Sequence, residues 1–204
     1  MRRAAAIVAV LITLSACGTS KTFTEANLAN ILPGKADAPA GLAFLPASSG
    51  KEDISLVATS TDEQTKFKAY GFVGAYTTFY SNPAALAMLQ QQTTVADPGA
   101  HLLTMLGIVF KTADGAHKAL ALSYQTDVAA GTNVQAIAVK KIGDETLAES
   151  GTQINLPLLP GYLIYCRVGN ALFAVFDAGG PTSGVSIDTA RAYAEQMNAR
   201  AQKI

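Results

Sequence analysis

The stretch GYLIYCRVGNALFAVFD, residues 161–177, predicts a β-hairpin around which the rest of the fold is arranged. The connection Gly169-Asn170 begins with glycine, which favours the two-residue turns whose twist matches that of the flanking strands. Counting outward from this turn pairs one face as Val168 with Ala171, Cys166 with Phe173 and Ile164 with Val175. The other face carries Leu163, Tyr165, Ala174 and Phe176. Because both faces are mostly apolar, we expect both strands in the interior of a sheet.

The rest of the chain predicts further strands and several helices. Strand patterns occur at 54–59, 71–81, 101–111 and 134–141, and the turn Gly143-Asp144 leads into 145–149. Helices are predicted at 25–32, from Thr61 for about two turns, at 83–92, at 112–125 and at 187–204. The last of these has a regular apolar stripe, formed by Ile187, Ala190, Ala194, Met197, Ala201 and Ile204.

These elements predict an α+β fold. We expect a single domain over 25–204, with a mostly antiparallel sheet of five to six strands packed with helices and an amphipathic helix at the C-terminus. The chain has 204 residues, enough for one sizeable core.

The first 17 residues contain the most specific pattern in the sequence. Arg2 and Arg3 precede an apolar run of eleven residues, 4–14, which suits the central region of a signal peptide. A membrane-spanning helix needs about 20 apolar residues, so this run is too short to be one. The run ends at Leu14-Ser15-Ala16-Cys17, which resembles the lipobox of bacterial lipoproteins.

The lipobox resemblance implies that 1–16 is a signal peptide, that Cys17 is the lipidated first residue of the mature chain, and that 17–24 is a tether. The protein would then be held at a membrane through the lipid on Cys17. Gly18, rather than Asp, follows the cysteine, which favours the outer membrane if the organism has two membranes. In an organism with one membrane, the anchor would lie at the outer face of the cell membrane.

The charge balance argues against a nucleic-acid partner. The chain has 15 basic and 15 acidic residues. Removal of Arg2 and Arg3 with the signal peptide would leave 13 basic residues against 15, so there is no basic surplus for a phosphate backbone.

Few residues suggest catalysis or metal binding. His101 and His117 are the two histidines of the sequence, and we interpret both as surface residues. Ser48 and Lys51 match the S-x-x-K motif, but loop-forming residues surround them. Asp144 and Glu145 are adjacent and should point to opposite faces of a strand, which is unsuitable for a paired acid and base. We therefore predict no catalytic residue, no metal and no cofactor.

The second cysteine, Cys166, has no partner within the chain once Cys17 is assigned to the lipid. It alternates in phase with Ile164 and Val168, which predicts a buried and unreactive thiol. The alternative is a disulfide with a cysteine of another protein.

One aromatic group is the candidate for a ligand site. Phe72, Tyr76 and Tyr80 share one face of the predicted strand 71–81. They could line an apolar pocket on the concave side of the sheet, or they could form core beneath a helix.

A second resemblance concerns the exported domain. Ile142-Gly143-Asp144-Glu145, Arg167-Val168-Gly169-Asn170 and Gly71-Phe72-Val73 look similar to segments of small exported α+β lipoproteins and of actinobacterial sensor-type domains. These segments are rich in turn-forming residues. The resemblance implies a fold and transfers no activity.

The sequence leaves several functions open. The first is an anchored extracytoplasmic module, most simply non-catalytic, that binds an apolar small molecule or another envelope protein. The second is a cell-envelope enzyme whose site is assembled from distant residues. The third is an accessory lipoprotein with no ligand.

Overall fold

The structure is a computed structural model, and it describes residues 21–58, 60–91, 97–152 and 159–204. The predicted lipobox, with Cys17, lies outside these residues. The helices are α1 (Glu25–Ile31), α2 (Ile54–Val57), α3 (Thr61–Ala69), α4 (Pro83–Gln91), α5 (Ala113–Ala130) and α6 (Ile187–Ala201). The strands are β1 (Ala43–Phe44), β2 (Gly50–Glu52), β3 (Phe72–Ser81), β4 (His101–Phe110), β5 (Thr132–Ala136), β6 (Glu145–Thr152), β7 (Pro160–Val168) and β8 (Ala171–Gly179).

The strands form one antiparallel sheet in the order β1-β3-β4-β8-β7-β6-β5, with β2 beside β1 on the outer edge of β3. Helices α1 and α6 pack on one face of the sheet, and α2, α3, α4 and α5 pack on the other. The predicted α+β class is confirmed. Because helices cover both faces, the sheet separates two apolar layers of core.

The β7–β8 hairpin is confirmed in its turn and its register. Val168 lies opposite Ala171, and the next pairs on that face are Cys166 with Phe173 and Ile164 with Val175. Gly169 has φ +56°, a left-handed conformation that glycine adopts without steric cost. Both strands are interior to the sheet, because β8 also pairs with β4 and β7 also pairs with β6. The run 101–111 is likewise confirmed as the central strand β4.

Helix α6 closes one face of the sheet. The Ser186 hydroxyl accepts a hydrogen bond from the Thr189 N–H and caps the helix. Its predicted stripe is confirmed in the buried residues Ala190, Ala194, Met197 and Ala201. Ile204 lies beyond the end of the helix, with 53% of its surface exposed.

The predicted strand 54–59 is wrong. Residues Ile54–Val57 form the one-turn helix α2, and the side chain of Leu56 is largely exposed. The alternation of Ile54, Leu56 and Ala58 suits a strand, but β1 and β2 already pair with the outer edge of β3, beside which this segment packs. Tertiary pairing therefore overrides the local pattern.

The sheet also has more strands than the five to six predicted. β1 and β2 have two and three residues, too few for a periodic pattern to identify them. β5 is shorter than the predicted 134–141, and α5 extends five residues beyond the predicted end at 125. This extension carries Asp127 to the hydroxyl group of Tyr165.

The predicted tether 17–24 ends too late, because its last residues belong to the domain. Phe23 lies in the core with 3% of its surface exposed. The Lys21 ammonium donates hydrogen bonds to the carbonyl oxygens of Ala201 (3.2 Å) and Gln202 (2.7 Å) at the end of α6. A cation at this helix end is favourable because the carbonyl groups there carry partial negative charge.

The side chain of Asn170 joins three parts of the domain. Its Oδ1 accepts from the Phe23 N–H (2.6 Å), and its Nδ2 donates to the carbonyl oxygens of Phe23 (3.0 Å) and Phe110 (2.6 Å). Asn170, Phe23 and Phe110 are buried, so water could not supply these hydrogen bonds if the Asn170 side chain were removed. The hairpin turn therefore secures both the N-terminal segment and the end of β4.

Among the described residues, no helix combines the length and the apolar character needed to cross a membrane.

We predict that Asn170→Ala destabilises the domain by about 2–4 kcal/mol, because it leaves buried backbone donors and acceptors without partners. Urea unfolding of the domain measures this loss. Asn30→Ala is the matched control, since Asn30 is exposed on α1 and should change stability by less than about 0.5 kcal/mol. Equal stabilities of the two variants would contradict the role given to Asn170.

Candidate functional site

A pocket of about 280 Å³ lies between the sheet and the helices α2, α3 and α5. Four strands form its floor and the three helices form its walls. Its volume is near the lower end of the range for small-molecule sites.

The floor follows directly from the strand register. One row of paired residues crosses five strands on the pocket side, and it consists of Phe79, Thr104, Phe176, Leu163 and Glu149. The next row on the same face contains Leu106, Ala174, Tyr165 and Leu147. Because side chains alternate along a strand, residues two apart in each strand contribute to the same surface. The floor is apolar except for Thr104, the Tyr165 hydroxyl and Glu149 at its side.

The walls combine apolar and polar groups. Leu56 and Val57 come from α2, and Leu56 has 70% of its surface exposed. Glu63 is contributed by α3. The last two turns of α5 supply Ser123, Thr126, Asp127 and Ala130. An exposed leucine beside an apolar pocket is a group that a ligand could shield from water.

A hydroxyl–carboxylate bond links the floor to α5. The Tyr165 hydroxyl donates a hydrogen bond to Asp127 Oδ2. Burial raises the pKa of Asp127, and the bond from Tyr165 opposes that rise. Burial, together with the negative charge of Asp127, raises the pKa of Tyr165 well above its usual value. Tyr165 therefore acts as a hydrogen-bond donor at every physiological pH.

Glu149 is the most unusual polar group near the pocket. It is 3% exposed and lines a small recess that shares Leu163 and Phe176 with the pocket. Burial, with a smaller contribution from Asp127, raises the pKa of Glu149 to about 7. Glu149 Oε2 and the buried Thr104 Oγ1 have no hydrogen-bond partner within the described part of the chain.

The predicted aromatic group does not form the pocket, because its three members do not share a face. A β-bulge at 72–74 pairs Phe72 with Phe110 and Gly74 with Val109, so Val73 is an extra residue in the strand. The bulge turns Phe72 toward the α5 side, where its ring meets Phe110 edge-on. Tyr76 and Tyr80 face α1 and α6 on the other side of the sheet.

Tyr76 and Tyr80 belong to the core of that second face. Tyr80 is fully buried and its hydroxyl donates to the Gly34 carbonyl oxygen at 2.8 Å. None of Phe72, Tyr76 and Tyr80 lines the 280 Å³ pocket, whereas their neighbour Phe79 does. The alternative interpretation of the sequence, core beneath a helix, describes Tyr80.

The prediction of two surface histidines is wrong for His101. His101 Nε2 lies 2.6 Å from Oδ1 of the fully buried Asp177, and 14% of its side chain is exposed. Asp177 Oδ2 also accepts from the Ser186 N–H, so this pair anchors the start of α6. His117 is on the surface, where its Nδ1 lies 2.6 Å from Glu145 Oε2. Within the described ranges, no group of three or more His, Cys, Asp or Glu side chains could hold a metal ion.

Two of the three segments of the sequence resemblance, 142–145 and 167–170, meet in space. Arg167 pairs through Nε with Glu145 (2.5 Å) and through Nη1 with Asp144 (3.2 Å). Asp144 Oδ2 also accepts from the Gly169 N–H at 2.7 Å. The two adjacent carboxylates, predicted to point apart, thus hold one arginine between them. This arrangement holds the turns together.

Of the remaining candidates, Lys51 of the S-x-x-K motif forms an ion pair with Glu25 at 3.4 Å, and Ser48 ends a 3₁₀ turn. Cys166 is fully buried as predicted, and burial raises the pKa of its thiol to about 12. At neutral pH it is therefore protonated and unreactive.

A second cavity is an open groove of about 460 Å³ at the end of the sheet near β5. It is lined mainly by glycine, by small polar residues and by Tyr162. It contains no charged side chain among the described residues that line it.

A solved structure shares the fold over nearly the whole chain. The extracellular domain of PknH from Mycobacterium tuberculosis matches 91% of this chain with 100% of its own, at a TM-score of 0.55 and 14% sequence identity. At this identity the likeness concerns the fold alone. Comparison of the sequence with protein-family models and with curated proteins finds no match.

The raised pKa of Glu149 predicts how its replacement affects stability. Between about pH 4.5 and pH 7 the folded state retains a proton that the unfolded state releases, so this group lowers stability as the pH rises. We predict that Glu149→Gln raises the free energy of unfolding by about 1–3 kcal/mol at pH 8.5 and changes it little at pH 4.

Urea unfolding at both pH values measures the effect. The control is Glu195→Gln, which removes an exposed carboxylate on α6. A Glu149→Gln effect of equal size at pH 4 and pH 8.5 would show that packing, rather than the buried charge, is responsible.

Proposed function

We propose that this protein is an extracytoplasmic, lipid-anchored module that binds an apolar small molecule in the pocket beside α5. The observation that carries the proposal is the 280 Å³ pocket itself, with its apolar floor and its few buried polar groups. Small-molecule sites generally combine an apolar lining with a small number of polar groups that orient the ligand. A concave site of this size favours a small molecule over the surface of an envelope protein.

Three observations support the extracytoplasmic location. The sequence begins with a charged pair and an apolar run that are typical of a signal peptide. Leu14-Ser15-Ala16-Cys17 resembles a lipobox, which would place a lipid on Cys17. The fold is that of a domain described as extracellular in its own protein. Gly18 favours the outer membrane as the destination in an organism with two membranes.

The proposed anchor would hold the domain close to the membrane. Lys21 is already fixed to the end of α6 and to the hairpin turn. Lys21 follows Cys17 by four residue steps in sequence, which allows a reach of about 14 Å at full extension. The domain would therefore lie against the lipid surface, near the source of apolar compounds.

The carboxyl groups near the pocket favour a second candidate function, a cell-envelope enzyme. Burial raises the pKa of both Asp127 and Glu149, and carboxyl groups of this kind serve as acids and bases in catalysis. The two functions differ in the fate of the ligand. Mass spectrometry should recover a ligand unchanged from a binding module and chemically altered from an enzyme.

We predict that Cys17→Ser abolishes lipid attachment and leaves the precursor uncleaved, because the serine hydroxyl does not replace the thiol in lipoprotein acylation. Labelling of cells with an alkyne analogue of palmitate measures attachment, and gel mobility reports cleavage. Cys166→Ser is the matched control and should label normally. Equal labelling of Cys17→Ser and the parent would overturn the anchor.

The pocket is tested by filling it. We predict that Ala174→Phe lowers the affinity for the neutral fluorescent probe N-phenyl-1-naphthylamine by at least tenfold, because the new ring occupies the centre of the floor. Fluorescence titration of the purified domain measures binding.

The matched control for this experiment is Ala129→Leu, an exposed position of α5 that should leave the affinity unchanged. Thermal unfolding verifies that Ala174→Phe is folded. A folded Ala174→Phe variant that binds the probe as tightly as the parent would exclude this pocket as the binding site.

A further inference from the structure

We infer that the pocket beside α5 selects an amphiphile that has an apolar body of about ten carbon atoms and a protonated amine as its head group. This inference rests on the proposed function and adds the chemical class of the ligand. The size follows from the pocket volume of about 280 Å³.

The charge of the described lining has one sign. The carboxyl groups of Glu63 and Asp127 line the pocket, and Glu149 lies in the adjoining recess. Among the described residues that line these two cavities, no lysine, arginine or histidine is present. A fatty acid or a phosphate would bring a further negative charge beside these carboxyl groups, which is unfavourable at short range and low dielectric.

The carboxyl groups near the pocket also leave acceptor positions open. The Tyr165 proton is already used in the bond to Asp127. That bond occupies one of about four acceptor positions on the Asp127 carboxylate. Glu149 Oε2 is buried without a partner in the described part of the chain, and so is Thr104 Oγ1 on the same row of the floor. A primary ammonium supplies three donors, which match this surplus of acceptors.

Glu149 provides the independent sign of a ligand. Only 3% of its surface is exposed. It belongs to the same cross-strand row as Leu163 and Phe176, and both of these residues line the pocket as well as the recess. A buried acceptor without a partner costs about 1–3 kcal/mol. An ammonium group placed between Asp127 and Glu149 would satisfy this acceptor while the alkyl body covers the apolar floor and Leu56.

The experiment compares probes that differ in the head group alone. Isothermal titration of the purified domain at pH 8 would use decylamine, 1-decanol, decanoate and decyltrimethylammonium, each below its micelle concentration. We expect decylamine to bind at least tenfold more tightly than decanol and decanoate. Decyltrimethylammonium, which has the charge without donors, should bind with intermediate affinity.

Variants assign the preference to the two carboxyl groups. Asp127→Asn and Glu149→Gln should each reduce the ratio of decylamine to decanol affinity by threefold or more. Glu195→Gln, on the opposite face, is the control for non-specific attraction and should preserve the ratio.

The outcomes separate the two proposals. Equal affinities for decylamine and decanol, or tighter binding of decanoate, would overturn the amine preference and leave the apolar pocket intact. A ratio that falls equally in Glu195→Gln would overturn it as well, because the preference would then be a surface effect. Absence of binding by all four probes would overturn the proposed function together with this inference.

Discussion

The two-residue turn at Gly169-Asn170 fixes the register on which both faces of the sheet depend. With Val168 opposite Ala171, the alternation along β7 and β8 sends Ile164, Cys166, Phe173 and Val175 toward α1 and α6. The same alternation sends Leu163, Tyr165, Ala174 and Phe176 toward α5. A slip of one residue would exchange the two sets and place Tyr165 away from Asp127. The buried Asn170 side chain holds this turn against the N-terminal segment and β4. The positions of these two segments therefore depend on the hydrogen bonds of one side-chain amide.

The two faces of the sheet differ in the quality of their packing. The α1 and α6 face is closed by small residues of α6 and by the buried Tyr80, and its buried carboxylate, Asp177, is paired with His101. The α5 face contains a pocket, and buried Glu149 lies beside it with one oxygen unpaired in the described structure. A buried carboxyl group with an unpaired oxygen is destabilising. The presence of Glu149 beside an apolar pocket is explained if a ligand completes the site, and this is the physical basis of the proposals for function.

The sequence predicted the fold well because its strongest signals are local. The hairpin, the central strand β4 and the stripe of α6 each rest on a long regular pattern, and all three are confirmed. The α5-side face of the hairpin was also predicted, so four floor residues of the pocket were identifiable as one surface. Their role in a pocket was not identifiable, because alternation of side chains along a strand does not distinguish a tightly packed face from one that contains a pocket. The sequence does not predict the role of Asp127, because α5 extends past the predicted end at 125. The β-bulge at 72–74 places Phe72 on the opposite face from Tyr76 and Tyr80, and no alternating strand pattern reveals such a bulge.

The proposed apolar site lies on the α5 face of the sheet. Methyl NMR of the domain during titration with decylamine tests this position most directly, because the two faces carry distinct methyl groups. We predict saturable shifts at Leu106, Leu163 and Ala174, which face α5, with Leu103, Ile164 and Val175 on the other face nearly unchanged. Shifts concentrated at Leu103, Ile164 and Val175, or an absence of saturable shifts on either face, would contradict it.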